Sequence, residues 1–361
     1  MLFYSFDKLF KSIARKASAA YSLNYFHKMV PFLSSCSYNV IIQYAALFVN
    51  SKKLLCSDVF LLYDGRENKV EKRAFFCLLP LDKALFYCYN FLIKIYFGGY
   101  KMRLGRIQNN YTKEGFALVA AQGLDFIEIC RNNQAEAEDL IASKDRVKEL
   151  IAQTGIDVSS VGRWNHDILA GGAIVEEKLQ HYIAFLDCAI ELGAKTFVCG
   201  CNYDASVSLW KNYALAIEFF RTLIAHADGR IKIAIHNCSW NNFIVSPKQW
   251  EIVLGELPEL MIKFDASHAY NRGENYLEQL SDWCERVAHV HVKGTVHAGK
   301  RAVDDPPAGM DDIQWNALFA ILYARKYNGD LSIEPHSATW HGELGDAGVR
   351  FTIDFIRKFM L

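Results

Sequence analysis

Eight times after Met102, a short apolar run gives way to a helical stretch of roughly 10–20 residues before the next apolar run begins, which is the sequence form of repeated βα units. The strands read as Arg103–Ile107, Leu124–Ile129, Asp157–Gly162, Thr196–Gly200, Lys232–His236, Ile262–Asp265, Val287–Lys293 and Leu331–Glu334. Between them lie stretches such as Glu176–Leu192, where Leu179, Ile183, Leu186 and Ile190 recur on one helix face. No Gly-rich dinucleotide fingerprint accompanies these units, so they favour a closed (β/α)8 barrel over an open doubly wound sheet. Such a barrel takes about 250 residues as one domain, and residues 102–361 number 260. The predicted class is α/β: a (β/α)8 barrel preceded by an N-terminal extension whose structure the sequence does not define.

Charge and composition change at the same boundary. The 361-residue chain has 40 basic and 40 acidic residues, but residues 1–101 carry 14 basic and 6 acidic ones, leaving 26 and 34 for the remainder. The extension holds none of the 7 Trp and one of the 11 His, so the chemistry-bearing residues lie almost entirely after it. Residues 29–51 are uncharged and long enough to cross a bilayer, yet Pro31, Asn39, Gln43 and several Ser make them a poor span. Lys8, Lys11, Arg15 and Lys16 interrupt the place where a secretory leader would have its apolar core. We expect no membrane association, Met102 as the natural start, and residues 1–101 as a dispensable or non-native extension. The ten Cys include no C-x-x-C pair and read as free thiols of a reducing, cytoplasmic compartment. An acidic catalytic segment without a Lys/Arg run argues against nucleic acid as a partner.

In a (β/α)8 barrel the reactive groups stand at the C-terminal ends of the strands. The last four strands end in Ile235-His236-Asn237, Phe264-Asp265-Ala266-Ser267-His268, His289-Val290-His291-Val292-Lys293 and Ile333-Glu334-Pro335-His336. A carboxylate ending a strand is often only the cap of the next helix, and a lone His is often a hydrogen-bonded core residue. A His, an Asp, a His and a Glu at matching heights on successive strands instead predict one divalent ion, Mn, Co, Fe, Mg or Zn, held by His236, Asp265, His291 and Glu334. His289, two residues before His291, reads as core one layer deeper.

The motifs Ile262-Lys263-Phe264-Asp265-x-x-His268, His289-x-His291-x-Lys293-Gly294 and Ser332-Ile333-Glu334-Pro335-His336 resemble the xylose-isomerase-like TIM barrels, over essentially all of residues 102–361. The resemblance implies a sugar or sugar-phosphate isomerase or epimerase, a divalent metal, and dimers or tetramers as common assemblies. Its members hold the metal by Glu, Asp, His and Glu from strands 5 to 8. Three of these carry over onto Asp265, His291 and Glu334; where relatives have the first Glu, this chain has His236 followed by Asn237. The family's usual mechanism uses both Glu residues as acid and base on opposite faces of the sugar, so the replacement bears directly on the reaction.

A metal chelating a carbonyl and the neighbouring hydroxyl acidifies the C–H between them and stabilises the resulting enediolate. Glu334 is the candidate base, with His236 as second proton carrier or ligand and His268 donating to a substrate oxygen. Lys293, Trp164, Asn237, His336 and Trp240 are candidate substrate contacts, Glu128 a supporting acid, and residues 295–312 an ordered lid. No Gly-rich phosphate cradle follows strands 7 or 8. An elimination on oxidised (keto) glycosides, giving a lyase, and a non-catalytic sugar-binding barrel are the alternatives. A three-metal DNA-repair site is set aside, since strands 3 and 4 offer no inward His.

Overall fold

The structure is a computed structural model, and it describes residues 102–361 together with four strands before them, β1 (Ile42–Tyr44), β2 (Phe48–Asn50), β3 (Lys53–Asp64) and β4 (Lys69–Pro80). The chain divides into two compact units, Met1–Gly98 and Gly99–Leu361. In the first, β3 pairs antiparallel with β1, β2 and β4, with Asp64 opposite Lys69. The basic residues 8–16 and most of the uncharged stretch 29–51 lie outside the described residues. Among the described residues, no helix is long and apolar enough to cross a membrane.

The second unit is a closed barrel of eight parallel strands: β5 (Arg103–Ile107), β6 (Phe126–Arg131), β7 (Asp157–Arg163), β10 (Thr196–Cys199), β11 (Lys232–His236), β12 (Met261–Asp265), β13 (Val287–Val292) and β16 (Asp330–Ile333). Observed and predicted strand ends agree within two residues. The barrel closes where β16 pairs with β5, Asp330 opposite Arg103. Two short hairpins, β8–β9 (Leu169–Ala170, Ala173–Ile174) and β14–β15 (Val296–Ala298, Arg301–Asp304), decorate the mouth loops. Residues 295–312 thus hold the β14–β15 hairpin.

Helices α1 (Lys113–Ala121), α2 (Gln134–Thr154), α3 (Glu176–Glu191), α4 (Leu209–Ala227), α5 (Pro247–Glu256), α6 (Ala266–Asn271), α7 (Tyr276–Trp283), α8 (Trp315–Ala324) and α9 (Gly342–Arg357) separate the strands. Their starts follow from local chemistry. Thr112, Asn133, Ser208 and Asn275 each accept a backbone N–H of the first turn. Ser246 and Gln249 cap each other's ends of the first turn of α5, with Pro247 at the position where a missing N–H costs nothing. The strands are buried on both faces, between the barrel interior and the helix ring, which is why they read as continuous apolar runs.

At the N-terminal end of the strands lies a network of charged side chains. Arg103 grips Asp330 through two bonds, Nε to Oδ1 at 2.8 Å and Nη2 to Oδ2 at 2.6 Å, and reaches Asp157 Oδ2 at 2.8 Å. Ser159 also donates to Asp330, and Lys195 stands 3.3 Å away. Strand starts from four positions around the barrel are thereby tied together.

Candidate metal centre at the barrel mouth

β12 ends at Asp265, whose carboxylate does two things at once. Its Oδ1 accepts from Ser267 N at 2.9 Å and Ser267 Oγ at 2.7 Å, capping α6. Its Oδ2 is buried without a hydrogen-bond partner. The cap and the ligand readings of a strand-ending Asp are therefore compatible, because each oxygen serves one of them.

β13 presents His289 and His291 inward, two residues apart on the same face. His291 Nδ1 lies 2.9 Å from Glu334 Oε2 and 3.6 Å from Asp265 Oδ2, while its Nε2 lies 2.9 Å from Glu128 Oε2. One ligand atom each from Asp265, His291 and Glu334 falls within 4.8 Å of the others. Glu128 also accepts from His289 Nε2 at 3.0 Å, so the deeper His is packed core that steadies the same carboxylate. A carboxylate behind the far nitrogen of a ligating imidazole fixes its tautomer and orientation. Glu128 occupies that supporting place.

Electrostatics favour a cation at this point. Burial opposes ionisation of Asp265, but His268, the His291 imidazole 3.6 Å away, Lys263 and Lys293 outweigh it and hold the carboxyl well below its ordinary range. Burial likewise works against Glu334, and Lys293 and His291 again prevail. Burial would neutralise His291, yet Glu128, Glu334 and the nearby Asp265 carboxylate raise it to about 10. Three buried carboxylates thus meet two lysines, and the remaining negative charge draws a proton onto the one imidazole between them. An unpartnered Asp265 oxygen, an imidazole nitrogen and a Glu oxygen this close together suit a borderline divalent ion.

His236 does not join this group. Its Nε2 lies 2.6 Å from His166 Nε2, and its ring stacks on Trp164 with centroids 5.3 Å apart at 4°. The matching heights of four strand ends predicted a fourth ligand; a loop residue instead reaches His236 Nε2, and Nδ1 has no partner in the protein. The expectation that strands 3 and 4 supply no inward His also needs qualification, since His166, three residues past the end of β7, is buried against the site.

The other candidates divide. His268 Nε2 lies 3.6 Å from Asp265 Oδ2, and burial, against the pull of Asp265, lowers it to about 4. Lys293 pairs with Asp305 at 3.5 Å, beside the group and just past the β14–β15 hairpin. Trp164 is buried, covering His236 and standing 6.2 Å from His291. Asn237 braces the backbone of Asp265 from both sides, accepting from its N at 3.0 Å and donating to its O at 2.8 Å, so its side chain positions the Asp265 backbone. His336 is an exposed partner of Asp305 at 3.0 Å, and Trp240 is 48% exposed on the surface, so the structure brings neither into the group.

Two participants escaped the sequence reading. Lys263 is fully buried, its Nζ lies 3.9 Å from Asp265 Oδ2 and 5.3 Å above the Trp164 ring, and it has no hydrogen-bond partner. The alternation of β12 would have found it, two residues before Asp265 and on the same face. Tyr182, behind His166 at 2.9 Å, carries no such signal, because it sits on α3 and reads as helix core.

Fold and site together define a (β/α)8 barrel with a metal-competent carboxylate–imidazole group at its mouth. The chain belongs to the xylose isomerase-like TIM barrel family, whose model matches residues 116–359. Among solved structures it is similar to the 3-keto-D-glucoside 4-epimerase of E. coli, at 19% identity and a TM-score of 0.58, covering 72% of this chain and 100% of that one. It is also similar to the D-psicose 3-epimerase of Clostridium cellulolyticum H10, at 14% identity and 0.59, covering 72% and 99%. A probable 3-DHS dehydratase of Bacillus anthracis follows at 13% and 0.54, covering 67% and 92%. Identities this low establish the fold alone. No match is found among curated protein sequences.

Proposed function

We propose that residues 102–361 form a divalent-metal-dependent isomerase or epimerase of a small sugar or sugar phosphate, moving a proton next to a carbonyl. The observation that carries this reading is the approach of Asp265, His291 and Glu334 within 4.8 Å, with a buried Asp265 oxygen left unpartnered. Similar solved barrels act on sugars by the names they bear, a 3-keto-D-glucoside and D-psicose among them.

When bound, the ion would polarise a substrate carbonyl as a Lewis acid. Asp265, His291 and Glu334 would hold it, with Glu128 keeping the His291 proton on Nε2. Glu334 is the one of the three with a partly exposed side chain, at 13%, so its carboxylate is placed to take and return the substrate proton. His268, neutral through burial, donates to or accepts from a substrate oxygen beside Asp265. Lys293, held cationic by Glu334, Asp265 and Asp305 against the effect of burial, balances negative charge as it develops. Buried Trp164 covers His236 on the inner side.

A lyase is the second reading, favoured by the same observation that one ligand carboxylate alone is partly exposed: removal of the proton by Glu334 followed by loss of a leaving group on that face. Proton NMR in D₂O with D-fructose, D-tagatose and D-allulose, after loading with Mn²⁺ or Co²⁺, tests both. Exchange of a carbon-bound proton beside the carbonyl supports the isomerase reading, an unsaturated product supports the lyase, and neither, across a wider panel of keto-sugars, defeats both.

A further inference from the structure

We propose that His236 faces the site as a fixed neutral N–H donor and not as a metal ligand, and that His166 is the positioning residue that sets this tautomer. The inference deepens the metal-site reading above, and it follows from hydrogen bonds alone. The backbone N–H of Gly200 lies 3.4 Å from His166 Nδ1. A backbone N–H only donates, so His166 Nδ1 is a bare nitrogen, and the Tyr182 hydroxyl at 2.9 Å donates to it as well. A neutral imidazole bare at Nδ1 carries its proton on Nε2. That proton points at His236 Nε2, 2.6 Å away, which must accept it. His236 then carries its own proton on Nδ1. One lone pair is occupied by His166 and the other nitrogen bears hydrogen, so neither nitrogen has a pair to give a cation.

A doubly protonated His166 is excluded by the same geometry, because it would set N–H against the Gly200 N–H. Burial acts in the same direction, holding His166 at about 3 and His236 well below the usual imidazole value, with His166, Lys263, His268 and His291 around it. Gly200 permits the arrangement: a Cβ there would stand 2.7 Å from His166 Nε2. Trp164 stacked on His236 fixes the ring plane. His236 Nδ1 is buried and has no partner in the protein, which leaves its hydrogen for a hydroxyl or carbonyl oxygen of a substrate, or for water.

This changes what the site does. Where the resemblance places a second carboxylate at the end of the fifth barrel strand, this chain has a donor that stabilises negative charge on oxygen and cannot remove a proton from carbon. Proton removal is left to Glu334, so abstraction and return occur on one face of the substrate. That is the stereochemistry of aldose–ketose exchange or of a one-faced elimination, and it differs from inversion between two opposed bases.

The test uses full-length protein labelled with ¹⁵N-histidine. Long-range ¹H–¹⁵N correlation spectra, assigned through His166→Gln and His236→Gln, report which ring nitrogens carry protons. We expect His236 protonated on Nδ1 and bare on Nε2, with His166 the reverse; His236 protonated on Nε2 overturns the proposal. His166→Gln retains an amide donor at the reach of Nε2 and preserves the His236 pattern, whereas His166→Leu removes it and gives a mixture of the two tautomers. An unchanged His236 pattern in His166→Leu overturns the role of His166. In Mn²⁺ titrations, His236→Gln changes affinity by less than the roughly tenfold at which outer-shell losses begin, while Asp265→Asn loses more than about 100-fold. A loss in His236→Gln as large as in Asp265→Asn makes His236 a ligand and overturns the inference. An unchanged affinity in Asp265→Asn overturns the metal reading instead, and the ring-nitrogen spectra still decide this one.

Discussion

The two ends of the barrel are both charged, and they are built oppositely. At the bottom, Asp330 has both oxygens engaged by Arg103, with Ser159 and Lys195 added. At the mouth, Asp265 Oδ2, Lys263 Nζ, His236 Nδ1 and Glu128 Oε1 are buried without hydrogen-bond partners. An unpaired buried polar atom costs about 1–3 kcal/mol, so the mouth retains groups that destabilise the free protein. At the bottom Asp330 is held by pairing among protein groups, whereas the mouth gathers several polar atoms that no protein group pairs. That division of labour is the general expectation for barrel enzymes.

Substitutions at the two ends should therefore part company. The largest effect falls at the mouth, where Glu334→Gln lowers proton exchange from a reactive sugar by about 10²–10⁴, measured by NMR in D₂O. Thermal denaturation should show only a modest fall in Tm, because the substitution loses the favourable charge interactions of Glu334 with Lys293 and His291 but leaves a neutral amide of the same shape in its place. Equal loss of stability and activity would erase the contrast.

At the bottom the pattern reverses. Asp330→Ala leaves Arg103 without its main partner and should cost about 3–5 kcal/mol, seen as a fall in Tm on the order of 10 °C at about 2–4 °C per kcal/mol. Mn²⁺ affinity of the folded fraction should not change. Burial opposes ionisation of Asp330, but the Arg103 and Ser159 hydrogen bonds outweigh it and hold the carboxyl below its ordinary value. A depressed carboxyl contributes its stability above the ordinary Asp value, about 4, and loses it as pH falls through the depressed one. Acid titration followed by circular dichroism should consequently be steeper below about pH 4 in the parent than in Asp330→Asn.

How far this contrast was legible in the sequence differs between the ends and between the units. The barrel was legible because each strand is an apolar run fixed by two buried faces, and strand ends fell within two residues. Asp265, His291 and Glu334 were legible because period-two alternation says which strand residues face inward. His236 obeyed that rule and still lies outside the group, because alternation says nothing of which neighbour reaches a ring nitrogen. His166 comes from a loop, where no period applies. Lys263 is readable by the same alternation, two residues before Asp265 on the inward face. In the N-terminal region, β3 and β4 extend for 12 residues each without clean alternation, so no strand announced itself.

The smallest effect is expected at the rim. His336→Ala removes an exposed partner of Asp305, and exposed ion pairs contribute about 0–1 kcal/mol; Tm and sugar exchange should both stay close to the parent. A large loss of exchange would move the substrate contact outward, toward the last βα loop.

The central claim is that Asp265, His291 and Glu334 share one ion. Elemental analysis of the full-length protein, titrated with Mn²⁺ and freed of excess, measures it directly. One bound ion per chain in the parent and none in Asp265→Asn, with circular dichroism unchanged, is the predicted result. No bound ion in the parent, or an undiminished one in Asp265→Asn, would contradict it.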